Sequence, residues 1–116
     1  MAFEIVRSRD SLKGLNLIFD HLVDSYVGLG DAPADAVNRA ADRIRTIRAD
    51  MNAIANAPYQ GTLLNHMAAE LRCVTKNNAA FYFDVEDSAQ VVRILAIFFG
   101  GQDHRRHMLK RLGRMI

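Results

Sequence analysis

The chain has 116 residues, half of them hydrophobic and 24% charged, with a formal net charge of +2. This composition is typical of a globular protein and excludes a disordered one, and the length suits a single domain over residues 1–116. No apolar run approaches the roughly 20 residues that a membrane helix requires, so we expect no membrane association.

The cysteine content and the first residues bear on where the protein works. Cys73 is the single cysteine, which permits no internal disulfide and is typical of a reducing compartment. The first ten residues carry charges where a signal peptide has its apolar region. We therefore expect a cytoplasmic location.

The N-terminal part of the chain predicts a strand followed by a helix. Residues 3–8 are β-rich, and Ser8, Asp10 or Ser11 could cap the helix that follows. Gly14 lowers helix propensity by about 1 kcal/mol relative to Ala, which predicts close packing there. Apolar residues of this helix recur three or four positions apart, in a stripe widened by Ile18 and Val23: Leu12, Leu15, Phe19, Leu22, Tyr26 and Leu29.

A second helix follows a short loop. Gly28 and Gly30 end the first helix, and Pro33 starts the second. The same three-four spacing recurs at Val37, Ala40, Ile44, Ile47, Met51 and Ile54. Two amphipathic helices joined by a short loop predict an antiparallel hairpin, which ends near Pro58 and Gly61.

The rest of the chain predicts a sheet. Residues 63–69 fit either a loop or an extra helical turn. Three strand-like runs follow, at residues 71–76, 80–85 and 91–99, and their short connections predict an antiparallel meander. The last run is almost wholly apolar, which predicts a central strand buried on both faces. We expect one of its faces to lie against the hairpin: Val92, Ile94, Ala96 and Phe98.

These elements predict an α+β fold in the order β-α-α-β-β-β. The N-terminal helical hairpin packs on an antiparallel sheet, and a short C-terminal helix follows. The residues after Asp103 carry a charge of +5, whereas residues 1–103 carry −3. Such a tail suits phosphate or an acidic protein partner, and it equally suits a solvated helix end.

Few residues of the sequence suggest a catalytic or metal-binding site. The sequence has no Gly-rich phosphate loop, nucleophile elbow or repeated cysteine spacing. His104 and His107 could share a metal, but the surrounding cations oppose it, so we expect neither metal nor cofactor. Arg93 interrupts an apolar strand and must reach water, an acid or a ligand. It is available either to a phosphate or carboxylate of a partner, or to Asp84 on the neighbouring strand, and we favour Asp84.

In their order, these segments resemble the RelE/ParE superfamily of bacterial toxins from type II toxin–antitoxin modules. The resemblance covers nearly the whole chain. It begins with the first strand and the helical hairpin, which ends at Pro58 and Gly61. It continues with Leu71-Arg72, with the aromatic strand that ends in residues 83–87, and with the strand at residues 92–97, which a polar turn and a basic end follow.

The resemblance implies one of two activities. RelE-like members cut mRNA on the ribosome with basic residues and usually a tyrosine near the C-terminus, whereas ParE-like members poison DNA gyrase. Where nuclease members often carry an Arg in the third strand, this chain has Ala80. The usual basic positions after the last strand fall near Gly101 and Gln102, and no tyrosine follows Tyr82. The ParE-like branch is therefore favoured.

The resemblance also implies partners and site residues. It implies a cognate antitoxin in a hetero-oligomer and DNA gyrase as the target, with ribosome-bound mRNA as the alternative and a degenerate, non-toxic binding module as a third possibility. The residues expected to bind a target or partner are Arg93, His104, Arg105, Arg106, His107 and Lys110. A nuclease would use Arg72, Arg93, His104 and Arg105, with His104 as acid or base.

Overall fold

A helical hairpin lies on one face of a five-stranded mixed sheet. The computed structural model describes residues 2–100 together with His107, Met108, Lys110 and Leu112. The elements are β1 (Glu4–Arg7), α1 (Arg9–Gly28), α2 (Pro33–Ala53), a 3₁₀ turn (Ile54–Asn56), β2 (Thr62–Leu63), β3 (Arg72–Lys76), β4 (Ala79–Glu86) and β5 (Val91–Phe99). The four described C-terminal residues are helical. The predicted α+β fold is confirmed.

The strands lie in the order β1-β5-β4-β3-β2. Strands β3 to β5 form the predicted antiparallel meander, which β2 extends by pairing with β3. Asn77 and Asn78 both have positive φ, as a tight two-residue hairpin turn requires. Strand β1 pairs with β5 in parallel, which makes the sheet mixed. Strand β5, predicted to be central, is interior but second in the order, and β4 occupies the middle.

Strand β2 comes from the stretch that the sequence left open. Residues 62 and 63 pair with β3, and the backbone N–H of Leu64 donates to the carbonyl oxygen of Leu71 at 2.6 Å. A two-residue strand is too short to show an alternating pattern, which is why the sequence did not reveal it.

Among the described residues, neither helix combines the length and apolarity needed to cross a bilayer.

The main core lies between the hairpin and the sheet. Its buried members come from both helices, from the 3₁₀ turn and from β4 and β5: Leu15, Ile18, Leu22, Ala40, Ile44, Ile47, Met51, Ile54, Ala79, Phe81, Phe83, Val92, Ile94 and Ile97. Leu12 and Val37, predicted to lie in this core, are 45% and 43% exposed, and the residues just before them, Ser11 and Ala36, are buried instead. Small residues at these two positions allow close helix packing, whereas a larger side chain is displaced to the rim.

Ser8 joins β1, α1 and β5. Its side-chain oxygen accepts a hydrogen bond from the backbone N–H of Ser11 at 3.0 Å, so Ser8 is the cap among the three candidates. Its hydroxyl donates to the carbonyl oxygen of Leu95, and its backbone N–H donates to that of Ile94. The buried Ser11 hydroxyl donates to the carbonyl oxygen of Ser8 at 2.7 Å. These bonds fix the start of α1 over β5.

A β-bulge in β5 changes which of its residues face the hairpin. The pairing with β4 shifts between Tyr82, which lies opposite Ala96, and Phe83, which lies opposite Ile94, so Leu95 is the extra residue. Val92 and Ile94 face the hairpin as predicted. The prediction is wrong for Ala96 and Phe98, which lie on the other face, because the bulge inverts the alternation after Leu95.

Gly14 allows α1 to approach the sheet closely. A Cβ atom built on Gly14 would lie 2.8 Å from the carbonyl oxygen of Ile97 on β5. That separation is shorter than the van der Waals contact distance between carbon and oxygen. With a side chain at position 14, α1 could therefore not lie at its present distance from β5. The close packing predicted from the sequence is confirmed.

Candidate functional site

The sheet face opposite the hairpin carries a second apolar cluster. We call it the second face, and its buried members are Leu64, Leu71, Ala80, Tyr82, Ala96, Phe98 and Met108. The rings of Tyr82 and Phe98 meet edge to face with centroids 5.9 Å apart. The His107 ring stacks on Phe98 at a centroid distance of 6.0 Å. Residues of the C-terminal helix therefore pack against this face.

Arg93 and Asp84 form a cross-strand ion pair on the second face. Arg93 Nε donates to Asp84 Oδ1 at 2.8 Å, and its Nη2 donates to Oδ2 at 3.1 Å. This two-point hydrogen bond, assisted by the charge of Asp84, raises the pKa of Arg93 above its ordinary value. The two residues are register partners, so the pairing favoured from the sequence is the one observed.

The ion pair lies at the wall of an open cavity of about 310 Å³. The remaining wall is apolar and comes from the segment before β3, from β5 and from the C-terminal helix: Ala68, Ala69, Leu71, Leu95 and Leu112. Arg93 is half exposed, so its guanidinium can donate a further hydrogen bond to a carboxylate or carbonyl oxygen that enters the cavity. The guanidinium retains its charge at any physiological pH.

Arg72 does not lie with Arg93. It is the register partner of Phe83, whose ring faces the hairpin, whereas Arg93 is the partner of Asp84 on the second face. Its Nη1 donates to the carbonyl oxygen of Tyr59 at 2.8 Å, and its guanidinium lies 5.5 Å from the centre of the Tyr59 ring. The two arginines named for a nuclease therefore project from opposite faces of the sheet.

A second cavity of about 340 Å³ opens between α1 and the C-terminal helix. We call it the α1 groove, and it is lined by Gly14, Leu17, Ile18, His21, Ile97, Phe98, Phe99 and His107. His107 is exposed at its rim, and so is Leu17, with 64% of its surface accessible. Sequence reasoning assigned only His107 to a site, since the contribution of α1 depends on which helix face turns toward the C-terminal residues.

Of the remaining predicted site residues, the structure describes Lys110 but not the others. Lys110 is exposed on the C-terminal helix near His107. His104, Arg105 and Arg106 lie outside the residues that the structure describes, as do Gly101 and Gln102. In the described part of the chain, no three His, Cys, Asp or Glu side chains come close enough to hold a metal ion.

Three solved structures with this arrangement come from toxin–antitoxin systems. No family model and no curated protein sequence matches the chain. A chain of the chromosomal ParDE toxin–antitoxin system from Pseudomonas aeruginosa superposes with a TM-score of 0.64 at 19% identity, over 85% of this chain and 97% of that one. A double arginine-to-alanine mutant of the Escherichia coli toxin RelE in the free state superposes with a TM-score of 0.61 at 11% identity, over 100% of both chains.

A third neighbour agrees with these two. A chain of the toxin–antitoxin complex RelBE2 from Mycobacterium tuberculosis superposes with a TM-score of 0.56 at 10% identity, over 85% of this chain and 99% of that one. This chain has the RelE/ParE toxin fold. At these identities the likeness concerns the arrangement of helices and strands, so it is shared by ParE-like and RelE-like proteins alike.

Within the RelE/ParE fold, the second face of this chain is apolar where the resemblance places nuclease cations. Ala80, at the position where nuclease members often carry an arginine, is only 4% exposed and packs in the cluster with Tyr82 and Phe98. On β4 and β5, the charged residues at this face are Arg93, its partner Asp84, and Glu86, an acid near enough to act on Arg93. This face therefore presents a buried apolar cluster and no group of free cations on its strands, where cleavage of a phosphodiester requires cations.

Proposed function

We propose that this protein is the toxin of a type II toxin–antitoxin module, and that it acts by binding a protein target, DNA gyrase. The observation that carries the proposal is that Ala80, at the position where nuclease members often carry an arginine, is buried in an apolar cluster with Tyr82 and Phe98. Cleavage of a phosphodiester without a metal requires a base, an acid and cations around the scissile phosphate. The described part of this face offers one arginine, and that arginine is bonded to Asp84.

The proposal includes a cognate antitoxin that silences the toxin in a hetero-oligomer. The fold neighbours include a ParDE system and a RelBE2 complex, which supports such a partner. The α1 groove offers apolar walls for a helix or an extended segment. An acidic segment would complement the basic C-terminal end, including Lys110 and, by sequence, Arg105 and Arg106.

A side-by-side assay tests the target. Purified protein is added to a gyrase supercoiling reaction and, separately, to ribosomes stalled on mRNA. We expect inhibited supercoiling, intact mRNA, and recovery of supercoiling when the antitoxin is added. Cleavage of ribosome-bound mRNA with supercoiling unaffected would refute the gyrase assignment and support the ribonuclease alternative.

One substitution separates the two activities within the cell. Replacing His104 with Ala removes the strongest acid–base candidate of a nuclease. We expect the H104A variant to arrest growth as the wild type does, because a protein-binding toxin does not require proton transfer. Loss of growth arrest in a variant that stays folded would favour the nuclease. Normal growth on expression of the wild type without antitoxin would instead indicate a degenerate binding module.

A pair of variants tests the partner-binding residues. Replacing His107 and Lys110 together by Gln should weaken antitoxin binding by roughly tenfold, since a polar or charged contact at an exposed rim contributes about 1 kcal/mol or less. Lys76→Gln on β3 is the control, because this substitution removes a cation that does not belong to the C-terminal helix. Equal antitoxin affinity for wild type and double variant, measured by titration calorimetry, would remove these residues from the interface.

A further inference from the structure

Cations without an acidic partner gather at the open end of the helical hairpin. Among the residues that the structure describes, three arginines form ion pairs and two donate to backbone carbonyl groups: Arg39, Arg45 and Arg93, and then Arg43 and Arg72. Arg7, Arg9, Lys13 and Arg48 form no ion pair within the same part of the chain, and all four are exposed. We call these four residues the hairpin-base cations.

A contact of Arg7 joins two of the elements that carry these cations. Arg7, the last residue of β1, donates from Nη2 to Asn52 Oδ1 on α2 at 2.7 Å. Arg48 precedes Asn52 by one helical turn, and Cβ atoms at that spacing lie about 5–6 Å apart. Arg9 is the first residue of α1, two positions after Arg7, and Lys13 follows it by one turn. The hairpin-base cations thus span the ends of three adjoining elements.

This arrangement costs stability in the isolated protein. Arg9 and Lys13 stand four apart on one helix, where two like charges are unfavourable by a few tenths of a kcal/mol. Arg9 also places a cation at the positive end of the α1 dipole. Asp10 in the same turn offsets part of this charge, but it forms no ion pair with any described cation. A bound anion would relieve both costs.

We propose that the hairpin-base cations bind the sugar–phosphate backbone of double-stranded DNA. Three of the four are arginines, whose planar guanidinium groups bind phosphate at two points. The exposed neighbours Asn16 and Asn52 are amides of the kind that also contact phosphate oxygens. Their distribution over α1, β1 and α2 suits phosphates repeated along a backbone, and contacts of this type read no sequence.

This inference is independent of the proposed toxin function, because it is tested with the protein and DNA alone. The hairpin base also lies away from Phe98, Met108 and the second face, since it is built from the ends of β1, α1 and α2. The gyrase and mRNA assays could therefore fail or succeed without affecting it.

The test compares two charge-matched double variants of the full chain. R9Q/R48Q removes two hairpin-base cations, whereas R39Q/K76Q removes two cations elsewhere and keeps the same net charge. Both keep the basic C-terminal residues, whose contribution to DNA binding therefore cancels. Affinity for a short labelled duplex is measured by fluorescence anisotropy over a range of salt concentrations, and thermal unfolding checks that both variants remain folded.

We expect R9Q/R48Q to bind DNA roughly tenfold more weakly at low salt, with the slope of log affinity against log salt reduced by about two, because each phosphate contact contributes about 0.9. The R39Q/K76Q variant should bind as the wild type does. Equal losses in both variants would overturn the proposal, since they would reflect net charge alone. Preferential displacement of the DNA by a glutamate-rich peptide, with the same ranking of variants, would also overturn it and indicate an acidic protein partner.

Discussion

At the scale of single residues, two glycines of α1 have the same sequence character and different surroundings. Gly14 lies against the carbonyl oxygen of Ile97, whereas a Cβ atom on Gly28 would meet nothing within 4 Å. Helix propensity favours Ala over Gly at either position by up to about 1 kcal/mol. The two positions differ in packing. At Gly14 the contact with Ile97 disfavours Ala, which is opposite to the preference from helix propensity.

Gly14→Ala should therefore destabilise the protein, and Gly28→Ala should not. We expect a loss of about 1–3 kcal/mol at Gly14, because the new methyl group must push α1 away from β5. At Gly28 we expect no change or a small gain. Urea denaturation of both variants measures this, and equal stability changes would show that α1 does not rest on Ile97 at the stated distance.

Ser8→Ala tests the second residue on which the start of α1 depends. The substitution removes the cap on the Ser11 N–H and the donor to the Leu95 carbonyl oxygen, with an expected cost of about 1–2 kcal/mol. Ser88→Ala, at an exposed turn residue, is the control. If the two variants unfold at the same denaturant concentration, the bonds of Ser8 contribute nothing measurable.

At the scale of elements, β5 shows how far sequence patterns reach. Its apolar run predicted a buried strand, and the short meander predicted the pairing of Arg93 with Asp84, since both follow from local spacing. The bulge at Leu95 left no trace in a run where every neighbour is apolar, so the sides taken by Ala96 and Phe98 were assigned wrongly. The α1 groove was missed for a related reason, because Leu17 and His21 join it only through tertiary packing.

The Arg93–Asp84 pair should contribute little to stability. A double-mutant cycle with Asp84→Ala and Arg93→Ala should give a coupling energy of about 0.2–1 kcal/mol, because Arg93 is half exposed and solvent screens the pair. The coupling should fall in high salt. A coupling above this range that persists in high salt would show that the pair is more buried than its exposure indicates.

At the scale of the whole molecule, protection from solvent is unequally distributed. Strand β4 is central, with five consecutive buried residues from Ala79 to Phe83, and it is covered on both faces. Strand β2 has two residues, both exposed, and pairs on one side only. The sequence predicted the layered fold because hydrophobic periodicity reports burial, but it could not rank the elements by stability.

Amide hydrogen exchange should follow this ranking. We expect the slowest exchange in β4 and in the part of β5 paired with it, through global unfolding, and fast exchange in β2 through local opening. Mass spectrometry of peptides covering residues 62–63 and 79–83 measures the difference. Comparable protection of the two peptides would mean that β2 opens only with the whole domain.

The parallel pairing of β1 with β5 bears on how the chain is synthesised. Residues 4–7 leave the ribosome long before the strand that they pair with, at residues 91–94. Throughout that interval the N-terminal strand has no place in a sheet and exposes an edge that other chains can join. A prematurely terminated product lacking β5 therefore cannot close the fold, so synthesis of β5 precedes any activity that depends on the fold.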